Sequence, residues 1–503
     1  MPTSIVSVTQ SFQKSRWGLI LILVLAAVLR WAFSDSRGLT YDDTFSIILA
    51  GRPLGDIIQG TAADTMPPVY YFLLHFWMRL GSAVWFLRSL NILISLATVW
   101  MLYRLVHRLA GRPAGLWAAL LAAISPLQIY HAQDLRMYAI LGFSQIVYVY
   151  LFYRIWQSPD PGDRSTILNW IGLVIAGTLA MYSHNLAIIA LIIPDLILIC
   201  QRRWRLLLHL LAAQLGIAVL SLPWLIQVPG QIQKIQKAFW TPRPGLVEVI
   251  QAIVLFHSHL PLPAPLMVVA VLFSVQIFTL ILFETLRNGK RDRSGWFLLT
   301  LVVGLPILLF VISYIMRPVF VTRVFILSSL VYLGLVGRAI ADAHVKFVKV
   351  FLATGTIALA LIALPFFYSF NQFPRSPFNE AMAVVRKREV TRSIVVHDNK
   401  LSYFPSYFYA PDIKQVFLPD PPGSANDTLA AQTQAAMTVF PAHDLEDAVR
   451  GETHILFVVF QQTLDEYQEM GVTVHPGVSW LEKHFTFAGV QSVGDLRIFE
   501  YKR

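Results

Sequence analysis

Cysteine is almost missing from this chain, and charge is scarce. Cys200 is the sole cysteine among 503 residues, so no intramolecular disulfide can form and a disulfide-braced extracellular domain is excluded. Charged residues make up 14%, against roughly 25% in an average soluble domain. No internal repeat is detectable. What is there instead is hydrocarbon: 56% of the residues are hydrophobic and the mean hydropathy is +0.59. That composition excludes an ordinary cytosolic enzyme, a disordered chain and a fibrous one. The net charge of +11 does not point to nucleic acid, because Lys and Arg fall in short bursts between apolar runs and not on one stripe.

Those runs lie at about 17–34, 86–103, 113–130, 139–156, 167–183, 186–200, 206–228, 263–285, 296–316, 324–340 and 350–368. At roughly 20 residues per span they predict about eleven transmembrane helices. The first, Trp17 to Phe33, follows Lys14 and Arg16 but lacks a small-residue cleavage site, so it reads as an uncleaved span and not a signal peptide. Alternate gaps are basic: Lys14/Arg16, Arg104/Arg108/Arg112, Arg154/Arg164, Arg202/Arg203/Arg205, Arg287/Lys290/Arg291/Arg293 and Arg338/Lys346/Lys349. The positive-inside rule puts these in the cytoplasm, together with the N-terminus, and puts the C-terminal segment outside. The remaining gaps are exterior, longer and aromatic, and hold nearly all the acidic residues of the membrane part. Chemistry is expected there.

Within exterior loop 35–85, apolar residues after Pro67-Pro68 recur at Val69, Phe72, Leu73, Phe76, Trp77 and Leu80, the helical period. A helix over 67–80 is too short to span and is expected on the outer membrane surface, its prolines suited to the first turn. From Asn371 the composition changes. Runs at Ser393–His397, Gln415–Leu418, His454–Phe460 and Phe487–Ile498 read as strands, with helices at Glu380–Arg388 and Leu464–Met470. The fold class is therefore a polytopic α-helical membrane domain, 1–370, followed by an extracytoplasmic α/β domain, 371–503. That second domain has no Gly-rich phosphate loop and no nucleophile elbow. Asn426-Asp427-Thr428 fits the N-glycosylation pattern, which arises often by chance.

Several exterior features can carry chemistry. Tyr41-Asp42-Asp43-Thr44 places two adjacent carboxylates past the first span, and neighbours in a helix point in different directions. One can be a general base while the other orients it, or either can simply accept N–H bonds at the start of the helix that follows. Gln133-Asp134-Leu135-Arg136-Met137-Tyr138 brings an Asp and an Arg to the membrane boundary. Arg317-Pro318-Val319-Phe320-Val321-Thr322-Arg323 puts Arg323 near apolar surface, where an anionic partner is expected; a phosphate suits a guanidinium fork. His184-Asn185 turns between two spans. His257-Ser258-His259 is a weak metal signal for want of a nearby third ligand. Together these features describe an outward cavity, acidic and arginine-containing, beside the lipid.

Segment 39–156 resembles the N-terminal half of bacterial membrane glycosyltransferases of the GT-C superfamily, in the branch related to protein O-mannosyltransferases and lipid A aminoarabinose transferases. Asp42-Asp43 matches the family's acidic pair. Met66-Pro67-Pro68-Val69-Tyr70-Tyr71 is similar to its His-Pro-Pro-Leu-Tyr-Tyr-like start of a surface helix. Arg88 matches an Arg at the second span, Ser125-Pro126 a Ser-Pro, and Gln133–Tyr138 a Gln-Glu-x-Arg-x-Tyr-like string. Pro318–Arg323 is similar to the stretch before a late exterior Arg-Tyr. Three positions depart: Asp43 stands for Glu, Met66 for His and Val324 for Tyr.

The resemblance implies an enzyme, a hexosyl- or pentosyltransferase that moves a sugar from a polyprenyl-phosphate donor to a hydroxyl on a lipid, glycan or protein acceptor. The expected reaction is an inverting displacement at the outer face of the bacterial inner membrane. Asp42 is the expected base, and Asp43 and Asp134 orient the base, the acceptor or a cation. Arg323, with Arg136 or Arg317, receives the departing phosphate; Arg88, Tyr70, Tyr71, Tyr138 and His184 complete the substrate-binding set. No cofactor is required by this scheme, which is also compatible with a divalent metal, and the C-terminal domain is expected to cap the cavity. The alternatives are a transporter or flippase of lipid-linked sugars, using the same cavity without covalent chemistry, and a scaffold subunit of an envelope-polysaccharide complex.

Overall fold

The apolar runs become helices. The computed structural model describes residues 17–158, 164–237, 243–288, 292–316, 318–388, 390, 392–420 and 429–503. Helix α1 (Gly18–Trp31) leads into three short helices, α2 (Tyr41–Ala50), α3 (Leu54–Ala63) and α4 (Val69–Met78). The last is the helix the Pro67-Pro68 pattern predicts; it buries Tyr70, Tyr71 and Leu74 and exposes Leu73 and Phe76. Then come α5 (Val84–Ile124), α6 (Pro126–Gln133), α7 (Tyr138–Trp156), α8 (Arg164–Met181), α9 (Ala187–Leu191), α10 (Ile193–Cys200) and α11 (Trp204–Leu225). Two short helices, α12 (Val228–Lys237) and α13 (Leu246–Leu255), precede α14 (Ala264–Asn288), α15 (Arg293–Ile315), a single 3₁₀ turn at Thr322–Val324, α16 (Ile326–Asp342) and α17 (Lys346–Ser369).

Six described helices are long and apolar enough to cross a bilayer: α5, α7, α11, α14, α15 and α17. The difference from eleven predicted runs has definite sources. Helix α5 holds two runs, joined through Ala110 and Gly111, whose backbones are not helical; Gly111 has φ of +84°, and Pro113 restarts the second half where its missing N–H does no harm. The runs at α1, α8, α9–α10 and α16 make shorter helices or broken ones.

Beyond α17, α18 (Phe378–Arg388) opens an α/β unit. It continues through β1 (Ser393–His397), α19 (Lys400–Tyr409), β2 (Gln415–Phe417), α20 (Ala431–Met437), α21 (Leu445–Ala448), β3 (His454–Phe460), α22 (Gln461–Glu469), α23 (Pro476–His484), β4 (Thr486–Val493) and β5 (Leu496–Lys502). The sheet order is β2-β1-β3-β5-β4, with β2, β1 and β3 parallel and the β5–β4 hairpin antiparallel. The run read as one strand at Phe487–Ile498 is that hairpin, folded at Gly494, whose φ is +59°. Central strand β3 is buried on both faces, so it is apolar at every position after His454 instead of alternating. Leu456 and Val458 pack with Phe378 and Val385 on one side, while Ile455, Phe457 and Val459 meet Val478 and Leu481 on the other. The Asn426-Asp427-Thr428 tripeptide lies outside the described residues.

The α/β unit sits directly on the short helices of the first connection. Helix α19 packs against α2, with the Tyr41 and Phe404 rings edge to face at 5.1 Å. Helix α20 packs against α3, where the Thr433 hydroxyl donates to Gly60 O at 3.3 Å and Arg52 donates to Met437 O.

Arg30 fixes the bundle at the same end. It is fully buried on α1 and donates to Ala123 O (2.9 Å), Ala122 O (3.0 Å) and the Ser95 hydroxyl (2.9 Å). The last four carbonyls of a helix have no partner within it and carry partial negative charge. Those of α5, which ends at Ile124, find one in this guanidinium. Arg30→Met is therefore expected to leave two buried carbonyls unpaired and to lower stability by about 1–3 kcal/mol, read as an earlier thermal transition of the detergent-solubilised protein with secondary structure retained.

Candidate active site

The site starts from a helix cap. Thr40 is extended, and its hydroxyl accepts the Asp43 N–H (3.1 Å) while Asp43 Oδ2 accepts the Thr40 N–H (2.9 Å), a reciprocal capping box that starts α2. Asp43 Oδ1 accepts the Leu135 N–H at 2.7 Å. Two guanidiniums reach the same carboxylate, Arg375 at 3.3 Å and Arg88 at 3.9 Å. Asp43 is fully buried, with both oxygens engaged. Its neighbour lies about 100° further round the helix and behaves otherwise. The Asp42 side chain is 40% exposed and stands 3.8 Å from Arg136 Nη1.

Asp42 and Arg136 line a cavity of about 520 Å³. His184 and Arg323 are on its wall too, with Asp64, Met66 and Asn185. Much of the rest is aliphatic, including Ile188, Ile189, Ile232, Ile312 and Met316. So the structure gathers four of the residues singled out in the sequence around one space. Tyr71 supports them from behind, its hydroxyl accepting from Arg136 Nη1 at 3.3 Å. Tyr70 and Tyr138 are buried; Tyr70 accepts from Asn91, and the Tyr138 ring lies 6.1 Å from that of His184. Arg88 is fully buried and donates to Ser34 O (2.7 Å) and Arg37 O (2.8 Å), a fastening of the connection after α1. Arg317 lies outside the described residues.

Asp134 is likewise set back from the cavity. It pairs with Arg375 Nη2 at 3.2 Å, so a single guanidinium bridges Asp43 and Asp134. Arg375 belongs to the segment between α17 and α18, and nothing in the sequence patterns marked it. Asn91 on α5 was missed as well: its amide donates to the carbonyls of Asp134 and Arg136 (3.0 Å to the latter), pinning the turn that aims Arg136 at Asp42. Asp64 offered no motif at all. Asn185 ties the cavity mouth together, donating to Thr65 O (2.8 Å) and Gln231 Oε1 (3.0 Å) and accepting from Trp224 Nε1 (2.7 Å). In the His-x-His motif, His257 is held by Ile253 O and the Tyr332 hydroxyl. No cluster of three or more His, Cys, Asp or Glu side chains able to hold a metal occurs among the described residues.

This architecture has counterparts. It is similar to ArnT from Cupriavidus metallidurans in the apo state, at 14% identity with a TM-score of 0.63, covering 96% of this chain and 97% of that one. The same protein bound to undecaprenyl phosphate matches at a TM-score of 0.61 and 14% identity over 97% and 98% of the two chains. The oligosaccharyltransferase of Archaeoglobus fulgidus, solved with Zn and sulfate, matches at 0.54 and 14% identity over 96% of this chain and 73% of its own. In sequence, residues 65–226 match the family described as dolichyl-phosphate-mannose-protein mannosyltransferase. No curated protein matches. The chain has the GT-C fold.

The two recessed carboxyls, at the start of α2 and in the turn between α6 and α7, have opposite tendencies. Burial alone would raise Asp43, but Arg375, Arg88 and the Thr40 and Leu135 N–H groups hold it below the ordinary carboxylate range. Asp134 is pushed up to about 7 by burial and by the Asp43 charge, against the pull of Arg375. Folded, Asp134 takes up its proton near pH 7; unfolded, near 3.8. Between those values the folded state binds more protons, so stability rises as pH falls from about 7 towards 4. Asp134→Asn is expected to flatten that rise in a series of melting temperatures taken between pH 8 and pH 5. Arg375→Met leaves two buried carboxylates facing each other and is expected to cost about 3–5 kcal/mol, visible as a large loss of thermal stability.

Proposed function

We propose that the chain is a membrane glycosyltransferase that takes its sugar from a polyprenyl-phosphate donor and passes it to an acceptor hydroxyl. What carries this reading is the make-up of the Asp42 cavity. It joins two carboxylates, Asp42 and Asp64, with Arg136 beside Asp42 and Arg323 on the wall, to an aliphatic space. A donor with a phosphate and an isoprenoid tail matches that pairing of guanidinium and hydrocarbon. The GT-C fold supports the reading, as does the match of residues 65–226 to a family named for a dolichyl-phosphate sugar.

In the mechanism we favour, the acceptor oxygen attacks the anomeric carbon in line with the departing phosphate, and configuration inverts. The new C–O bond forms as the bond to the phosphate oxygen breaks, and the hydroxyl proton passes to Asp42. Arg323 and Arg136 meet the negative charge that grows on the leaving phosphate, a fixed electrostatic field needing no reorganisation during the step. Asp43 and Asp134 act at one remove. Held by Arg375, they fix the start of α2 and the turn at Leu135, and so set the angle between Asp42 and Arg136. The basic gaps between the helices support placing this cavity on the outer face, where a flipped lipid-linked sugar is available and nucleotide sugars are not. The α/β unit, packed on α2 and α3, would cover it and take part in choosing the acceptor.

The test uses purified protein in lipid, a panel of polyprenyl-phosphate sugars and an envelope extract as acceptor, following release of polyprenyl phosphate. Wild type is expected to release it with one donor. Asp42→Asn should lower the rate by about 10²–10⁴-fold at unchanged melting temperature, because this side chain is the exposed one of the pair. Equal rates in both proteins would remove Asp42 from the chemistry. A bound donor with no release by wild type would favour transport over transfer.

A further inference from the structure

Among the described residues His184 is the only histidine lining the Asp42 cavity, and the chain around it decides what its ring can do. It stands in the corner between α8 and α9, where the Leu186 N–H donates to His184 Nδ1 at 3.1 Å. A backbone N–H is always a donor, so Nδ1 must present its lone pair and the ring proton sits on Nε2. Among the described residues Nε2 has no hydrogen-bond partner, yet it is not one of the buried polar atoms closed off without one. The residue is 5% exposed and stands on the cavity wall, so the cavity is the space that Nε2 reaches.

The corner is rigid. The His184 N–H donates to Ala180 O and the Ala187 N–H to His184 O, each at 3.0 Å. The next side chain, Asn185, is fastened to Thr65 O, Gln231 and Trp224. The ring therefore keeps its heading, and it also stays neutral. Burial, then the charges of Arg323 and Arg136, push it down to about 3. The other titratable groups here are Tyr41 and Asp42 on α2 and Asp64 after α3, all on the same wall, and Tyr138 on α7, whose ring is 6.1 Å away. None of them hydrogen-bonds to the ring among the described residues.

Two roles are thereby excluded. A general base needs a free lone pair, and here one nitrogen is occupied by Leu186 and the other is protonated. A cation is excluded by the surroundings. What remains is a neutral N–H donor facing a space that also holds two guanidiniums, and an oxyanion resting on these gains one more hydrogen bond from the ring. Neutrality matters, because a third cation would grip the phosphate before and after transfer alike, whereas a hydrogen bond tightens as charge grows on the oxygen. We propose that His184 Nε2–H donates to a non-bridging oxygen of the donor's phosphate and takes no part in moving the acceptor proton. The identity of that phosphate rests on the transfer reading above; the proton on Nε2 and the binding measured below do not.

Two substitutions separate the ring nitrogens. His184→Asn keeps an oxygen near Nδ1 to accept from Leu186 but removes the donor, whereas His184→Gln puts an amide N–H near Nε2 and gives up the Leu186 bond. The full-length protein in uncharged detergent is titrated with polyprenyl monophosphate, without turnover. His184→Gln is expected to bind within about threefold of wild type and His184→Asn about 10–10²-fold more weakly, the loss of a hydrogen bond to a charged oxygen. His184→Asn should melt like wild type, which separates this loss from unfolding. In protein labelled with ¹⁵N-histidine, the His184 resonances, assigned by their absence from His184→Gln, should show the Nε2–H tautomer and stay unchanged between pH 5 and pH 8. A proton on Nδ1, titration with a midpoint of about 6.5, or binding that falls in His184→Gln and survives in His184→Asn would each overturn the proposal, whether or not the protein turns any donor over.

Discussion

Everything at the membrane–domain junction depends on one guanidinium. Arg375 holds Asp43 with one nitrogen and Asp134 with the other, 3.3 and 3.2 Å away, with its side chain 2% exposed. Taking carboxylates out of water is affordable only when opposite charge and hydrogen bonds are supplied in their place. Arg88, the Thr40 and Leu135 N–H groups and the raised proton affinity of Asp134 supply the remainder. Arg375 also donates to Gly38 O at 2.8 Å. It therefore joins three stretches far apart in the chain: the start of α2, the turn after α6 and the segment leading into the α/β unit. Assembly of the Asp42 cavity wall and docking of the C-terminal unit are, on this geometry, one event.

The same arrangement explains how two adjacent aspartates come to differ. A helix separates neighbours by about 100°, so a cap that turns Asp43 into the protein necessarily turns Asp42 out of it. The buried partner makes the accessible one reliable. Asp43 ties Leu135 directly, and Arg136 follows Leu135, so the 3.8 Å between Arg136 and Asp42 is set by bonds that neither residue makes itself. Asn91 adds a second clamp on that turn from the opposite side. Residues that never meet substrate in our scheme thus decide the geometry of those that do.

What could be read from the residues alone was whatever is local and periodic. The apolar runs, the Pro-Pro start of α4, strands β1 and β3 and the clustering of Asp42, Arg136, His184 and Arg323 all have a signature in composition, period or motif. The capping box was legible too, as Thr40-x-x-Asp43 before an apolar stretch, and it could have told the two aspartates apart. Arg375 had no such signal. It lies 332 residues from Asp43 in a loop without pattern, and a lone Arg in a loop predicts only a solvated charge. Asn91 was hidden for a related reason: it bonds to groups that come near only after the helices pack. The hairpin was missed because Gly494-Asp495 sits inside what reads as continuous strand. The broken path through Gly111 separates two runs that the residues count as distinct, and that the backbone passes through almost as one helix.

Charge placement across the Val321–Arg323 wall gives the Asp42 cavity and a second one beside it, of about 560 Å³, different characters without needing different folds. On one side stand two carboxylates, Asp42 and Asp64, with aliphatic surface around them; on the other, three guanidiniums line the space with the single carboxylate of Glu248. Arg323 belongs to both. A cation shared in this way makes the cavities electrostatically dependent, since an anion seated on either side draws on the same charge.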